Sequence, residues 1–143
     1  MTLVYFDSSA FVKLLVEEDG SDLAADLWDG CDAAISSRLT FPQVRAALAA
    51  AGRDGRLTFD AQRAAEAVWD EFWAATRPVH LTEDIATHAG ELAGEFALRG
   101  ADAVHLASAL VLGVDGVVFA AWDQRLRAGA ERVGMVLAPG GGG

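Results

Sequence analysis

Short apolar runs that alternate with longer segments of helical periodicity constrain the fold of this chain more than any other feature. The first run, Thr2–Phe6, is β-branched, apolar and aromatic, and weaker runs follow at 32–36, 78–81, 116–120 and 132–137. Apolar runs in which polar residues do not strictly alternate with apolar ones are typical of parallel strands covered by helices on both faces. We therefore predict an α/β fold, a three-layer α/β/α sandwich with a mostly parallel central sheet.

The segments between these runs predict seven helices, with starts near residues 8, 21, 40, 58, 82, 102 and 124. Ser8 or Ser9 is a candidate cap for the first helix, and Thr40 with Gln43 has the spacing of a capping box. Because 143 residues is an ordinary size for one domain, we expect a single domain over 1–139. The glycines at 140–143 predict a flexible tail.

Charge and cysteine content narrow the function classes. The chain has 21 acidic and 11 basic residues, a net charge of −10, and Cys31 as its one cysteine. This balance argues against a large basic surface for nucleic acid and favours cationic partners or metal ions. The first residues, Met1–Phe6, lack the basic flank of a signal peptide, and the longest apolar stretch, Ala103–Val114, is too short to span a bilayer. We expect a cytoplasmic protein.

Three acidic residues from distant parts of the chain are predicted to converge on one edge of the sheet. Asp7 follows the first strand, Asp123 follows the strand at 116–120, and Asp102 opens a helix that leads back into the sheet. Ligands bind beyond the carboxyl ends of parallel strands. Because crowded carboxylates repel one another, such a cluster favours Mg²⁺ or Mn²⁺, which can promote phosphodiester hydrolysis.

Each of these acids also has a structural interpretation. Asp is a favoured helix cap, so Asp7, Asp102 and Asp123 could each simply begin a helix. His105 lies one helical turn after Asp102, but hard cations prefer oxygen ligands. We therefore predict a packed, hydrogen-bonded histidine and not a metal ligand at this position.

Four segments resemble the PIN domain, specifically the VapC-type toxins of bacterial toxin–antitoxin pairs. They are VYFDSSAFVKLL, AISSRLTFPQVRAAL, GADAVHLASAL and VVFAAWDQRL, and the run from Arg99 to Ala107 is the most specific. The resemblance implies a Mg²⁺-dependent endoribonuclease that is silenced by a cognate antitoxin, and it suggests a homodimer. It also implies that Asp7 and Asp102 are the principal magnesium ligands, assisted by Asp123.

Gln43 departs from the pattern of that family, which usually places Glu in the first turn of this helix. Glutamine keeps a carbonyl oxygen but removes one negative charge from the site. We therefore expect Gln43 to belong to the catalytic group, with weakened metal affinity. The alternative function is a catalytically weakened PIN domain that acts mainly by binding RNA or an antitoxin.

The arginines and the acidic segment suggest two contact surfaces. Arg38 and Arg45 flank Gln43, while Arg125 and Arg127 follow Asp123, so these four are candidate RNA contacts. Seven acids lie between 17 and 32 with no basic residue among them, interleaved with Leu23, Leu27 and Trp28. This pattern suggests a groove for an amphipathic, arginine-bearing antitoxin segment. A solvated acidic face with its apolar residues in the core remains the alternative.

Other α/β classes fit the residues less well. A phosphoacceptor receiver domain needs a late lysine, and Lys13 is the one lysine of the chain. A haloacid-dehalogenase-type phosphatase needs an acid where Ser9 stands. A dinucleotide-binding domain needs a glycine-rich first turn, which Asp7-Ser8-Ser9 does not supply.

Overall fold

The computed structural model describes residues 1–140, and 141–143 of the predicted glycine tail lie outside them. Within this range a five-stranded parallel sheet has the order β3-β2-β1-β4-β5. The elements are β1 (Leu3–Phe6), α1 (Ser8–Leu15), α2 (Ser21–Gly30), β2 (Ala33–Ser37), α3 (Thr40–Arg53), α4 (Phe59–Ala74), β3 (Arg77–Val79), α5 (Glu83–Phe96), α6 (Gly100–Leu110), β4 (Val117–Ala120), α7 (Gln124–Arg132) and β5 (Val136–Ala138). This architecture confirms the predicted α/β fold.

Strand β1 is the centre of the sheet and the point where the chain order reverses. The chain adds β2 and β3 on one side of β1, and later adds β4 and β5 on the other. Tyr5 pairs with Ile35 of β2 and with Phe119 of β4. Because all the strands are parallel, their carboxyl ends meet at one edge, and the reversal at β1 opens a crevice there.

The side chains of β1 alternate between two hydrophobic cores, one on each face of the sheet. Val4 and Phe6 pack with α1, α3 and α4, where Phe11 and Trp69 are fully buried. Tyr5 points to the other face and packs with α5, α6 and α7. Its ring stacks on Phe119 with a centroid distance of 5.4 Å. Both faces are thus covered, as expected for a three-layer sandwich.

Two element boundaries near the site differ from the prediction. Asp7, not Ser8 or Ser9, is the N-cap of α1, because its carboxylate accepts the Ala10 N–H. Helix α6 begins at Gly100 after the N-cap Arg99, so Asp102 lies inside the first turn and does not open the helix. Asp102 is therefore free of the capping role that the structural interpretation gave it.

The capping box predicted for Thr40 and Gln43 is not formed. Helix α3 has Leu39 as its N-cap and no side-chain cap hydrogen bond. Thr40 Oγ1 instead lies 2.6 Å from Ser36 Oγ, and Gln43 Oε1 lies 2.7 Å from His105 Nε2. Tertiary partners on β2 and α6 take the two side chains that local spacing had assigned to the helix end.

Within the described residues, none of the helices has the length and apolar character needed to cross a membrane. The last predicted strand starts later than expected, because α7 continues to Arg132 and Gly134 then turns the chain with a φ of 89°. Strand β5 therefore covers Val136–Ala138 and pairs with β4.

Candidate active site

Asp7 joins the central strand to the first helix at the crevice. Its backbone N–H donates to Ala120 O at 3.2 Å, which extends the contact between β1 and β4 by one residue. Its side-chain Oδ1 accepts hydrogen bonds from Ser9 Oγ at 2.7 Å and from Ala10 N at 2.9 Å. Because both bonds fall on Oδ1, Oδ2 remains available to a further ligand.

The environment of Asp7 favours the protonated carboxyl. Asp7 is 4% exposed, and burial is the main cause that raises its pKa to about 6. The hydrogen bonds from Ser9 and Ala10 lower the pKa, while the charges of Asp102 and Asp123 raise it. The three predicted ligands are therefore close enough to interact electrostatically. A buried carboxylate beside two others is a position that a bound cation would stabilise.

Asp102 and Asp123 are joined by a residue that the sequence analysis did not identify. Arg99 Nε donates to Asp102 Oδ2 at 3.2 Å, and Arg99 Nη2 donates to Asp123 Oδ2 at 3.4 Å. The other oxygen of Asp123 accepts the Leu126 N–H at 3.0 Å and caps α7. The i,i+3 spacing of Arg99 and Asp102 at a helix start was the available sequence signal for the first of these bonds.

The carboxylates do not enclose an ion site in their present arrangement. Within residues 1–140, no group of three Asp, Glu, His or Cys side chains could hold a metal ion as it stands. Arg99 already binds one oxygen of Asp102 and one of Asp123. The donor chemistry nevertheless fits a hard divalent cation, because the set consists of carboxylate oxygens and Asp7 is buried without a basic side chain among its hydrogen-bond partners.

Gln43 is held by a hydrogen-bonded chain that passes through the core. Its Oε1 lies 2.7 Å from His105 Nε2, and His105 Nδ1 lies 2.9 Å from the Tyr5 hydroxyl. The Ser37 backbone N–H donates to the same hydroxyl at 3.1 Å. His105 is 1% exposed, and burial lowers its pKa to about 4, so the ring is neutral. The prediction of a packed, hydrogen-bonded histidine is confirmed.

The four candidate RNA-binding arginines lie in different environments. Arg38 and Arg125 are exposed, and Arg125 lines a recess with Arg99, Asp123 and Gln124. Arg45 is paired with Glu66 at 3.2 Å. Arg127 donates to the backbone carbonyl of Ala121, just after β4, and to that of Pro139, just after β5, at 2.8 Å each. Arg38 and Arg125 are therefore the two of these arginines with guanidinium groups least engaged by the protein.

The sequence profile of the PIN domain matches residues 4–131. Two Mycobacterium tuberculosis proteins, Ribonuclease VapC45 and Ribonuclease VapC49, are each 63% identical over 139 residues, which cover 97% of this chain and 96% of theirs. Ribonuclease VapC46 of the same species is 38% identical over 140 residues, covering 97% of this chain and 99% of its own.

Solved structures show the same fold at lower sequence identity. The crystal structure of Mycobacterium tuberculosis VapC20, described as a Sarcin-Ricin loop cleaving toxin, has a TM-score of 0.67 at 21% identity and covers 93% of this chain and 96% of its own. A toxin–antitoxin complex from Klebsiella pneumoniae has a TM-score of 0.65 at 18% identity, covering 88% and 91%. The profile match and the sequence identity show that this chain belongs to the PIN domain family, among the VapC ribonucleases.

Proposed function

We propose that this protein is a divalent-metal-dependent endoribonuclease and the toxin of a toxin–antitoxin pair. The observation that carries the proposal is the buried carboxylate of Asp7 at the crevice, with the charges of Asp102 and Asp123 close enough to raise its pKa. The relatives that share 63% of the sequence are named ribonucleases, which supports RNA as the substrate.

The three carboxylates would hold Mg²⁺, or Mn²⁺ in its place. The chemistry that a bound ion would supply is the orientation and ionisation of a water molecule and the neutralisation of charge on the phosphodiester. Asp7 contributes an oxygen from a rigid position, because two hydrogen bonds fix its other oxygen at the start of α1. Asp102 and Asp123 contribute from the first turn of α6 and the N-cap of α7. All three stand at helix starts, where the helix dipole stabilises negative charge.

The exposed arginines would bind the RNA backbone beside these acids. Arg99 is 74% exposed and Arg125 lies in the same recess, which is open to solvent. Guanidinium groups pair with phosphate oxygens in two-point contacts. These arginines therefore provide local positive charge for RNA in a chain whose net charge is −10. Arg38 is exposed just before α3 and extends the same edge of the sheet.

RNA cleavage by the purified chain in the presence of Mn²⁺ or Mg²⁺ tests the proposal. Asp7→Asn should abolish metal-dependent cleavage, whereas the matched control Asp115→Asn should leave it unchanged. Asp115 is exposed and precedes β4, at the opposite edge of the sheet. Specific RNA binding by the wild-type chain without cleavage at any metal concentration would instead support the weakened, binding-only domain.

The antitoxin would bind a surface between α2 and α4. Trp28 and Phe72 pack edge to face at 4.8 Å and line a shallow groove with Val68, which is 42% exposed. Leu23 on α2 is also at the surface, so it does not belong to the core. The exposed acids of α2 are Asp22, Asp26 and Asp29. An amphipathic segment that carries arginines matches both the apolar centre and the acidic border.

Similarity to solved toxin–antitoxin assemblies, including VapBC2 from Rickettsia felis with a TM-score of 0.63, supports this partner. Val68→Glu should prevent association with the cognate antitoxin, measured by co-purification, while RNA cleavage by the free toxin is retained. A homodimer and a cytoplasmic location, both suggested by the family, are part of the same proposal. Sedimentation of the purified chain tests the first of them.

A further inference from the structure

The hydrogen-bonded chain from Ser37 to Gln43 has a direction of donation, which follows from the backbone N–H at one end and the Gln43 oxygen at the other. A backbone N–H can only donate, so the Tyr5 oxygen accepts from Ser37. The single proton of the Tyr5 hydroxyl then goes to His105 Nδ1, which is 2.9 Å away. In a neutral ring with an unprotonated Nδ1, the proton is on Nε2. His105 Nε2–H therefore donates to Gln43 Oε1.

The opposite assignment would place two acceptors against each other. If His105 carried its proton on Nδ1, its unprotonated Nε2 would face Gln43 Oε1 at 2.7 Å with no proton between the two atoms. His105 is 1% exposed, so an unpaired acceptor at this position is costly. Burial also lowers the pKa of His105 to about 4, which keeps the ring in a single neutral form at physiological pH.

The direction of donation determines which end of the Gln43 carboxamide is available to a ligand. Oε1 is directed at a buried ring, whereas Gln43 itself is partly exposed. The Nε2 group, on the other side of the same carbon, is the end left for solvent or substrate. Gln43 stands in the first turn of α3, directly after β2, and His105 is one helical turn from Asp102. Gln43 is thus tied to the helix that carries one of the predicted metal ligands.

We propose that Tyr5 and His105 are positioning residues that orient Gln43 so that it presents a hydrogen-bond donor, and not an acceptor, to a phosphate oxygen of the RNA. The proposal deepens and rests on the proposed ribonuclease function. It specifies how Gln43 belongs to the catalytic group, because the Gln43 oxygen is turned toward the buried His105 ring. Glutamate at this position would still accept the hydrogen bond from His105. Its other carboxylate oxygen would present an acceptor where the Gln43 Nε2 group presents a donor.

The first measurement is the tautomer of His105, read from nitrogen NMR of the full chain with labelled histidine and without metal. We expect His105 as the Nε2–H tautomer, while the exposed His80 and His88 serve as internal references with averaged tautomers. Tyr5→Phe should weaken this preference, because Nδ1 loses its donor while Gln43 Oε1 still accepts from Nε2. An Nδ1–H tautomer in the wild-type chain would overturn the proposal.

The second measurement is the affinity of a short single-stranded RNA in the presence of a chelator, so that no cleavage occurs. Gln43→Met, which keeps the length but removes the donor, and Gln43→Glu should each weaken binding, the latter by about tenfold because a carboxylate faces phosphate. Gln62→Met is the matched control on α4, where Gln62 bonds to Glu66. It should bind RNA as the wild-type chain does.

A double-mutant cycle separates positioning from general destabilisation. If Tyr5 acts through Gln43, Tyr5→Phe weakens RNA binding in the wild-type background but has no further effect when Gln43→Met is present. Equal effects of Tyr5→Phe on RNA binding in both backgrounds would overturn the proposal, and so would unchanged RNA binding by Gln43→Met. In either case, RNA cleavage by the wild-type chain would still support the ribonuclease function. A wild-type chain that neither binds nor cleaves RNA would overturn both.

Discussion

Arg99 and Asp123 form an ion pair across 24 residues, with 3.4 Å between Nη2 and Oδ2. The same guanidinium donates to Asp102 at 3.2 Å, so one cation bridges two of the three predicted metal ligands. Arg99 therefore pairs with one carboxylate oxygen of each of these two acids. Arg99 belongs to the protein, and its side chain is 74% exposed, which leaves it room to turn toward solvent.

Removal of this bridge should strengthen metal binding. In Arg99→Gln the divalent cation no longer competes with an internal cation for Asp102 and Asp123, so we expect Mn²⁺ affinity, measured by calorimetry, to rise several-fold. The metal-free melting temperature should change little, because exposed ion pairs contribute only about 0–1 kcal/mol. Arg56→Gln, which removes the exposed pair with Asp54, is the control and should leave Mn²⁺ affinity unchanged. Weaker Mn²⁺ binding by Arg99→Gln would contradict this role.

The burial of Asp7 predicts a stability difference that depends on pH. Its pKa is raised to about 6 in the folded chain, above the value of 3.8 in the unfolded chain, so the ionised form destabilises the metal-free protein above pH 6. Asp7→Asn keeps an oxygen for the helix cap and removes the charge. We expect it to be more stable than the wild type at pH 7.5, by up to about 3 kcal/mol in free energy of unfolding.

This advantage of Asp7→Asn should shrink as the pH falls below 6 and disappear only below the unfolded pKa of 3.8, where the wild-type carboxyl is protonated in both states. Denaturant unfolding at several pH values without metal measures it. Asp115→Asn should show no comparable trend, since Asp115 is exposed. A variant less stable than the wild type at pH 7.5 would mean that the charge of Asp7 is compensated within the protein.

The positions of the acids were predictable because backbone direction alone determines them. Parallel strands end at a common edge, so an acid that follows β1 and an acid that follows β4 must come near each other. Asp7 and Asp123 are both next to such strand ends, and the first pairs its N–H with Ala120 of β4. Asp102 was placed with them because the helix near its start was predicted to lead back into the sheet, and the resemblance to the VapC toxins implied the same three acids.

The partners of Gln43 and Asp123 were not predictable, because they depend on side-chain packing between distant segments. Gln43 and His105 are 62 residues apart, and the local spacing with Thr40 suggested a capping box instead. Thr40 bonds to Ser36 because both are buried and need hydrogen-bond partners. Tertiary burial overrides a local pattern in this case, and the consequence is that Gln43 points toward α6.

Metal binding should raise the melting temperature only when Asp7 is ionised and present. A cation that binds the folded state alone stabilises it by mass action, by about 2.7 kcal/mol at a concentration 100 times Kd. We expect millimolar Mn²⁺ to raise the melting temperature of the wild-type chain and of Asp115→Asn, and to have little effect on Asp7→Asn. The same shift in all three proteins would place the bound ion elsewhere on the acidic surface.

Acid should destabilise the protein through His105, because burial in the core disfavours the protonated, charged form of its ring. The pKa of His105 falls from 6.5 to about 4 on folding, so the folded state binds fewer protons than the unfolded state between these values. Stability is therefore greatest above pH 6.5 and is lost as the pH falls toward 4, by roughly 2 kcal/mol between pH 7 and pH 5.

The titration of Asp7 changes the stability in the opposite direction over part of this pH range, so the measurement is made in the Asp7→Asn background. In that background, denaturant unfolding should show the acid loss, and the additional change His105→Gln should remove it. A loss of the same size in both proteins would assign the acid sensitivity to other groups and would indicate that His105 accepts a proton within the fold.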